Sequence, residues 1–233
     1  MKILDTRSLL ATIDNFNEAV FSGRDWIGEA GDLVDWLQSR LGKPGGYLDS
    51  FALTSGDWSR ECRLFTGERL TTRAGRAHVI AEETNRVLRI IKQEAGLDVP
   101  SLEESEARLG ERIFHDCREH ALETGEFCCA TCSVALWRYM SAGGFPGHPD
   151  LIKPGLRTLR GARSATGGWN RFPFYYTMLF LSECPENQAG EEMRFHVKSC
   201  QRRLRILEGR KDRHSRRKRD LLTRILAGQA TSR

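Results

Sequence analysis

The chain of 233 residues carries 36 Lys and Arg against 31 Asp and Glu, with 39% hydrophobic residues, 29% charged residues and seven cysteines. Five Trp and eleven Phe, with ample Leu, Ile and Val, exclude wholesale disorder. The longest apolar stretch, Phe172 to Leu181, is about half of what a spanning helix needs, so a membrane-embedded protein is excluded as well.

Charge and cysteine use set the next expectations. Residues 201–233 hold twelve Lys and Arg and three Asp and Glu, a local net of +9, which leaves −4 for residues 1–200. The expected organisation is one mildly acidic helical domain over 1–200 and a basic helical extension over 201–233. The opening MKILDTRS has no apolar run of the secretory kind. A cytoplasmic, reducing setting is therefore expected, in which a cysteine cluster means metal, redox chemistry or burial rather than disulfides.

In chain order, Leu9, Leu10, Ile13, Phe16 and Val20 follow a helical period, as do Trp26, Ile27, Ala30, Leu33, Val34, Leu37 and Leu41. Gly42 and the run Lys43-Pro44-Gly45-Gly46 end the second helix. Residues 47–72 read as loop with short helices, and a long helix follows over about 74–94. Ser101-Leu-Glu-Glu104 has the capping-box spacing, which predicts a helix from there to about Leu122, ended near Gly125. Further helices are expected over about 128–140, 150–163, 172–184 and 188–207, the last resuming after Gly209. With no alternating strand and no hairpin turn between apolar runs, the fold class is all-α, built of stacked helical hairpins.

Two segments resemble each other. Trp36-Leu37-(x)2-Arg40-(x)4-Gly45-Gly46-Tyr47-(x)3-Phe51 aligns, with one-residue shifts, to Leu159-(x)3-Arg163-(x)3-Gly167-Gly168-Trp169-(x)2-Phe172. The shared unit is a helix end, a glycine turn, an aromatic, and a second helix; a good C-cap with a packing anchor explains it equally well. With Phe172-Pro-Phe-Tyr-Tyr-Thr177 behind it, the second copy resembles the repeat of the squalene-cyclase and protein-prenyltransferase α/α toroids, over about 135–185 and less closely 33–55. The resemblance implies an architecture, a partial α/α-toroid-like arc. It does not carry either activity, because the Asp-x-Asp-Asp motif of the cyclases and the zinc triad of the prenyltransferases have no counterpart here.

The densest constellation of reactive side chains is His115-x-Cys117-(x)2-His120-(x)7-Cys128-Cys129-(x)2-Cys132. If the turn at Gly125 folds two helices antiparallel, Cys117, His120, Cys128, Cys129 and Cys132 can ligate zinc or an iron–sulfur cluster, and His196-(x)3-Cys200 can supply further ligands. Two other readings use the same residues. The cysteines can be small buried hydrophobes. Alternatively, Cys128 and Cys129, near the first turn of a helix where free amides lower a thiol pKa, can form a redox pair with Cys132 as resolving partner.

Other groups are also candidates. Trp169, Arg171, Phe172, Tyr175 and Tyr176 can line a pocket for a small or lipid-like ligand, or simply pack as core. Arg202, Arg203, Arg216, Arg217, Lys218 and Arg219 give the tail an anion-binding character suited to non-specific nucleic-acid contact, or to docking on the acidic body. Phe65 to Ala74 offers hydroxyls and arginines before a helix, without the Lys-Ser/Thr of a P-loop; Thr71 or Thr72 as an ordinary N-cap accounts for it. His78 with Glu82 or Glu83, within one helical turn, can make an acid–base pair on one face, with an exposed helix pair as the more ordinary account. The function classes that survive are a metal-binding helical protein, a non-enzymatic helical scaffold, and a nucleic-acid-associated protein.

Overall fold

The computed structural model describes residues 2–231 and, among them, contains helices and no strand. The helices are α1 (Leu9–Ser22), α2 (Ala30–Gln38), α3 (Ser55–Trp58), α4 (Arg73–Ala95), α5 (Pro100–Glu111), α6 (Arg118–Thr124), α7 (Ala130–Ser141), α8 (Ile152–Gly161), α9 (Phe174–Glu183), α10 (Glu186–Phe195), α11 (Val197–Leu207) and α12 (Arg213–Thr231). The all-α reading holds.

Two helices form the spine. Every residue from Val79 to Leu88 in α4 is buried, and so is every residue from Cys132 to Tyr139 in α7. A helix surrounded on all sides must satisfy its polar side chains internally. Arg138 does so by bonding Glu183 through Nε and Nη2 at 2.9 and 2.8 Å and by pairing with Glu83. Arg86 donates to Asn17 at 2.8 Å and to Glu183 at 2.9 Å, and the Tyr176 hydroxyl bonds Glu83. Two arginines thus face two glutamates. Burial alone would raise the Glu83 carboxyl, but Arg138 and Arg86 hold it below its ordinary value. Around this spine, α1, α2 and α5 pack on α4, while α8 and α9 pack on α7.

Several boundaries differ from the expected ones, each for a local reason. The α5 helix begins at Pro100 with Val99 as cap, so Ser101 is inside the helix and makes no capping bond. Proline fits the first helical position because its φ is preset and its missing N–H would have no partner there. The single helix expected to Leu122 is three pieces, interrupted by a π-helical turn over Arg112–Asp116 before α6. The stretch 188–207 breaks at His196 into α10 and α11.

Both Gly-Gly turns are short loops closed by one antiparallel bridge, Leu41 to Phe51 in one case and Arg163 to Trp169 in the other. At the second, His196 is fully buried, with Nε2 3.1 Å from a Glu192 carboxylate oxygen and Nδ1 3.3 Å from the accepting Gly167 carbonyl, and packs on Trp169. Both of its ring nitrogens are therefore engaged in fixing that loop. Cys200 is buried beside it and its thiol is pushed up to about 12 by burial, so this His/Cys pair is structural rather than the reserve of ligands expected.

The basic extension folds back on the acidic body. Arg217 of α12 is 1% exposed and bonds Asp14 at 2.7 Å, Glu18 at 2.5 Å and the Phe65 carbonyl at 3.0 Å. Arg213 bonds Asp14 at 2.7 Å. Of the expected anion-binding residues, Arg217 is thus committed inside the protein. Arg202 donates to the Thr166 carbonyl, Arg203 and Lys218 lie over the Tyr175 ring, and Arg219 donates to the Arg210 carbonyl. Arg216 is exposed.

Candidate metal and thiol site

The site forms where the start of α7 meets the middle of α4. Gly125 ends α6 in the left-handed conformation, and its Cα lies so close to the backbone of Gly155 in α8 that an added Cβ would come within 2.3 Å of the Gly155 nitrogen. The chain then turns sharply. The Phe127 N–H donates to Ser133 Oγ at 3.0 Å, and that hydroxyl donates to the Cys129 carbonyl at 2.9 Å, fixing the corner. Cys128 has φ 64°, a left-handed conformation that a side-chain-bearing residue rarely adopts. Cys129 is the N-cap of α7, with its sulfur accepting from the Cys132 N–H at 3.5 Å.

This corner brings sulfur to nitrogen across the α4–α7 interface. His78, Cys128 and Cys132 place Nδ1 or Nε2 and two sulfurs within 4.8 Å of one another. The Cys132 sulfur is 3.9 Å from His78 Nδ1 and 3.4 Å from the Cys129 sulfur. The His78 ring is held by Tyr47, tilted against it at a centroid distance of 3.6 Å, and by Phe127, stacked at 6.1 Å. Burial, with Arg112 nearby, lowers the His78 pKa, so the imidazole is neutral at neutral pH, the form that ligates metal.

The three sulfurs differ in environment. Cys128 and Cys129 are exposed, while Cys132 is buried. A hydrogen bond from the Cys132 thiol, helped by the free amides of Thr131 and Cys132 at the helix start, brings Cys129 down to about 5 against the opposing effect of burial. The same bond, with burial, pushes Cys132 up, and burial also raises Cys128. One proton is in effect shared between Cys129 and Cys132. By contrast Cys62 and Cys184, buried elsewhere, are pushed up to about 11 and about 12 by burial.

Beneath the sulfurs lies Glu82, fully buried, with neither carboxyl oxygen hydrogen-bonded. Burial pushes its carboxyl well above the usual range, and the negative charge of Cys129 and of Glu83 acts in the same direction. Asn85, less than one turn further along α4, is also fully buried with both amide atoms unpartnered. Polar groups left unpaired in a core are expensive, on the order of 1–3 kcal/mol each, and such exceptions concentrate where a protein does something other than fold.

Of the five cysteines and histidines expected from the sequence, the structure brings Cys128, Cys129 and Cys132 together. Cys117 lies at the end of the π turn, half-buried, and His120 is exposed on α6; neither belongs to the three-residue ligand group, and Cys129 lies beside that group through its 3.4 Å approach to Cys132 without being a member of it. The nitrogen at the sulfurs comes from His78, fifty residues before Cys128. Sequence spacing ties His78 to Glu82 or Glu83, and Glu82 is the one that shares with it the face of α4 meeting the sulfurs, although no hydrogen bond joins them.

The aromatic residues expected to line a pocket are buried clusters. Trp169, Phe172 and Tyr176 are 7%, 4% and 0% exposed. The Trp169 indole donates to Glu192 at 3.0 Å, and Phe172 stacks on Trp137 at 5.7 Å. Tyr175 is half-buried against Arg203 and Lys218, and Arg171 forms a two-bond pair with Glu126. Thr72 caps α4 by accepting from the Gly75 N–H at 3.0 Å, the ordinary role for a threonine there.

No helix among the described residues is long and apolar enough to cross a membrane. The likeness of the Gly-Gly-Trp segment to the toroid repeat rests on its motif residues alone. No family model matches the chain, nor does any curated protein or solved structure, so what is said of its function rests on the geometry above.

Proposed function

We propose that this is a metal-binding helical protein whose ion is zinc, held by His78, Cys128 and Cys132 with Cys129 as the fourth ligand. The observation that carries the reading is the spacing of the donor atoms. A tetrahedron with zinc–sulfur bonds of about 2.3 Å has sulfur–sulfur edges of about 3.8 Å, and slightly shorter sulfur–nitrogen edges. The distances of 3.4 Å between Cys129 and Cys132 and 3.9 Å between Cys132 and His78 bracket those edges. His78, Cys128 and Cys132 already offer a nitrogen and two sulfurs within 4.8 Å of one another, and Cys129 completes the set by turning its sulfur toward them; such a mixed donor set suits a single borderline-soft ion better than an iron–sulfur cluster, which ordinarily takes four thiolates.

Second-sphere features support the reading. The neutral imidazole is oriented by Tyr47, and the left-handed backbone at Cys128 aims a sulfur that an extended backbone would turn elsewhere. The buried Glu82 carboxyl is close enough to sense the Cys129 charge, and burial pushes it toward its neutral form, which adds no further negative charge beside the thiolates.

The test is metal analysis of protein purified under reducing conditions without chelator. About one zinc per chain is expected, lost in Cys132→Ala and in His78→Ala and retained in His120→Ala. Metal-free wild type that does not take up zinc on titration with a chromophoric competitor would sink the reading.

A further inference from the structure

We infer that the same corner, when free of metal, is a thiol–disulfide exchange pair in which Cys129 attacks a small disulfide and Cys132 resolves the adduct. The inference shares sulfurs with the metal reading and does not depend on it.

Four observations carry it. Cys129 is exposed and Cys132 is buried, so a substrate in solution meets Cys129 first. Their sulfurs are 3.4 Å apart, near enough for a disulfide to form with a small side-chain movement. Cys129 is the N-cap of α7 and its sulfur receives the Cys132 N–H, a position that stabilises a thiolate left there after the pair is reduced. The alternative pairing of Cys128 with Cys129 would close a small ring through one peptide bond, which a planar trans peptide resists.

The step balances as follows. The Cys129 thiolate forms a bond to one sulfur of the substrate disulfide. The substrate sulfur–sulfur bond breaks, its electron pair leaves on the second sulfur, and that sulfur takes a proton from water. Cys132 then gives its proton to water and bonds to the Cys129 sulfur. The mixed disulfide breaks, and the remaining substrate thiolate leaves and is protonated. The substrate gains two electrons and two protons; the protein loses two electrons and the one Cys132 proton in closing Cys129 to Cys132, and water supplies the other proton.

The fold sets which sulfurs take part. Cys62, Cys184 and Cys200 are buried and cannot reach a substrate. Cys128 is exposed as well, but its sulfur is not at the helix cap, so the first adduct is expected on Cys129.

The experiment uses the full chain, reduced, stripped of metal by a chelator and desalted, with oxidised glutathione as the probe. Wild type should release two glutathione equivalents per chain, and the tryptic fragment from Glu119 to Arg138 should lose two mass units. Cys132→Ser should stop after one equivalent and carry glutathione on Cys129. Cys129→Ser should react at least about tenfold more slowly, and Cys117→Ser, outside the corner, should keep the stoichiometry of two. Wild type that fails to react, or a Cys132→Ser adduct on Cys128, would overturn the inference. Zinc loading in parallel separates the two readings. Zinc that binds and blocks exchange upholds both; zinc that fails to bind sinks only the metal reading; zinc that binds to a protein inert when metal-free sinks only this one.

Discussion

Four cysteines of ordinary chemistry and three of unusual chemistry share this chain, and the difference lies in what each sulfur touches. Cys129 sits at a helix start with free amides and the Cys132 thiol pointing at it; Cys62 meets mostly apolar surroundings. In metal-free protein, iodoacetamide should modify Cys129 at pH 6.5, with the rate falling only as the pH drops through about 5, while Cys62 stays unmodified until the protein unfolds. Peptide mass mapping reads this directly. The sign of the stability effect follows from the same shift. A thiol depressed from 9 to about 5 stabilises the fold fully above 9, and that contribution is lost as the pH falls through about 5. The stability difference between wild type and Cys129→Ser should therefore widen as the pH rises across that window, measured by urea unfolding of the metal-free proteins. A difference independent of pH would mean that Cys129 is not held as a thiolate.

Glu82 is a second residue-scale case, and it opposes Cys129. A carboxyl raised by burial stabilises nothing as an ion, so its cost appears as the pH rises toward its folded-state value. Replacing it with leucine removes two unpartnered buried oxygens. Glu82→Leu should stabilise the metal-free protein by about 1–3 kcal/mol while weakening zinc retention. A variant that loses stability would show that Glu82 has a structural partner role instead.

At the scale of elements, the sulfur corner depends on how closely α6, α7 and α8 approach one another. A Cβ on Gly155 would lie 2.5 Å from the Trp137 ring, whose indole nitrogen donates to the Gly125 carbonyl at 2.7 Å. Gly155→Ala must push Trp137 away or tilt α8. It should cost about 1–3 kcal/mol, the usual penalty for overpacking a core, and should also loosen the turn that carries Cys128. Thermal unfolding and zinc affinity measured together test this; an unchanged melting temperature would mean the helices have slack that the packing does not show. The helix boundaries teach a related lesson. Ser101 and Glu104 have the spacing of a capping box, yet Pro100 takes the first position and Val99 the cap, because a preset φ outweighs a side-chain hydrogen bond.

At the scale of the whole molecule, the basic C-terminal helix is held by the acidic face of α1. Arg217 is enclosed by Asp14, Glu18 and the Phe65 carbonyl and lies over the Phe65 ring at 4.0 Å. Removing one partner of a buried pair leaves the other uncompensated, so Arg217→Ala should cost about 3–5 kcal/mol. Asp14→Asn combined with Glu18→Gln should cost a similar amount, and the triple change less than the sum, because the same interaction is deleted each time. Additive losses in urea unfolding would mean the three residues act independently.

Composition and periodicity by themselves determined that the chain is all-α, where its long helices run, that its C-terminal segment is basic on an acidic body, and that Cys128, Cys129 and Cys132 form one cluster. These are local properties: a helical period, a capping glycine or a three-residue spacing is complete within a few turns of chain. Only the tertiary structure decided that His78 and not a neighbour such as His120 meets those sulfurs, that Glu82 lies unpaired beneath them, and that Arg217 points inward. Each of these depends on which faces of distant helices meet, and no spacing along one helix encodes that. The π turn at Arg112–Asp116 reinforces the point. It breaks the regular helical register expected between Ser101 and Leu122, so the residues around Cys117 and His120 do not continue one helical face. The ligand that replaces them comes from a helix whose own sequence ties His78 to Glu82 or Glu83 and says nothing of the sulfurs.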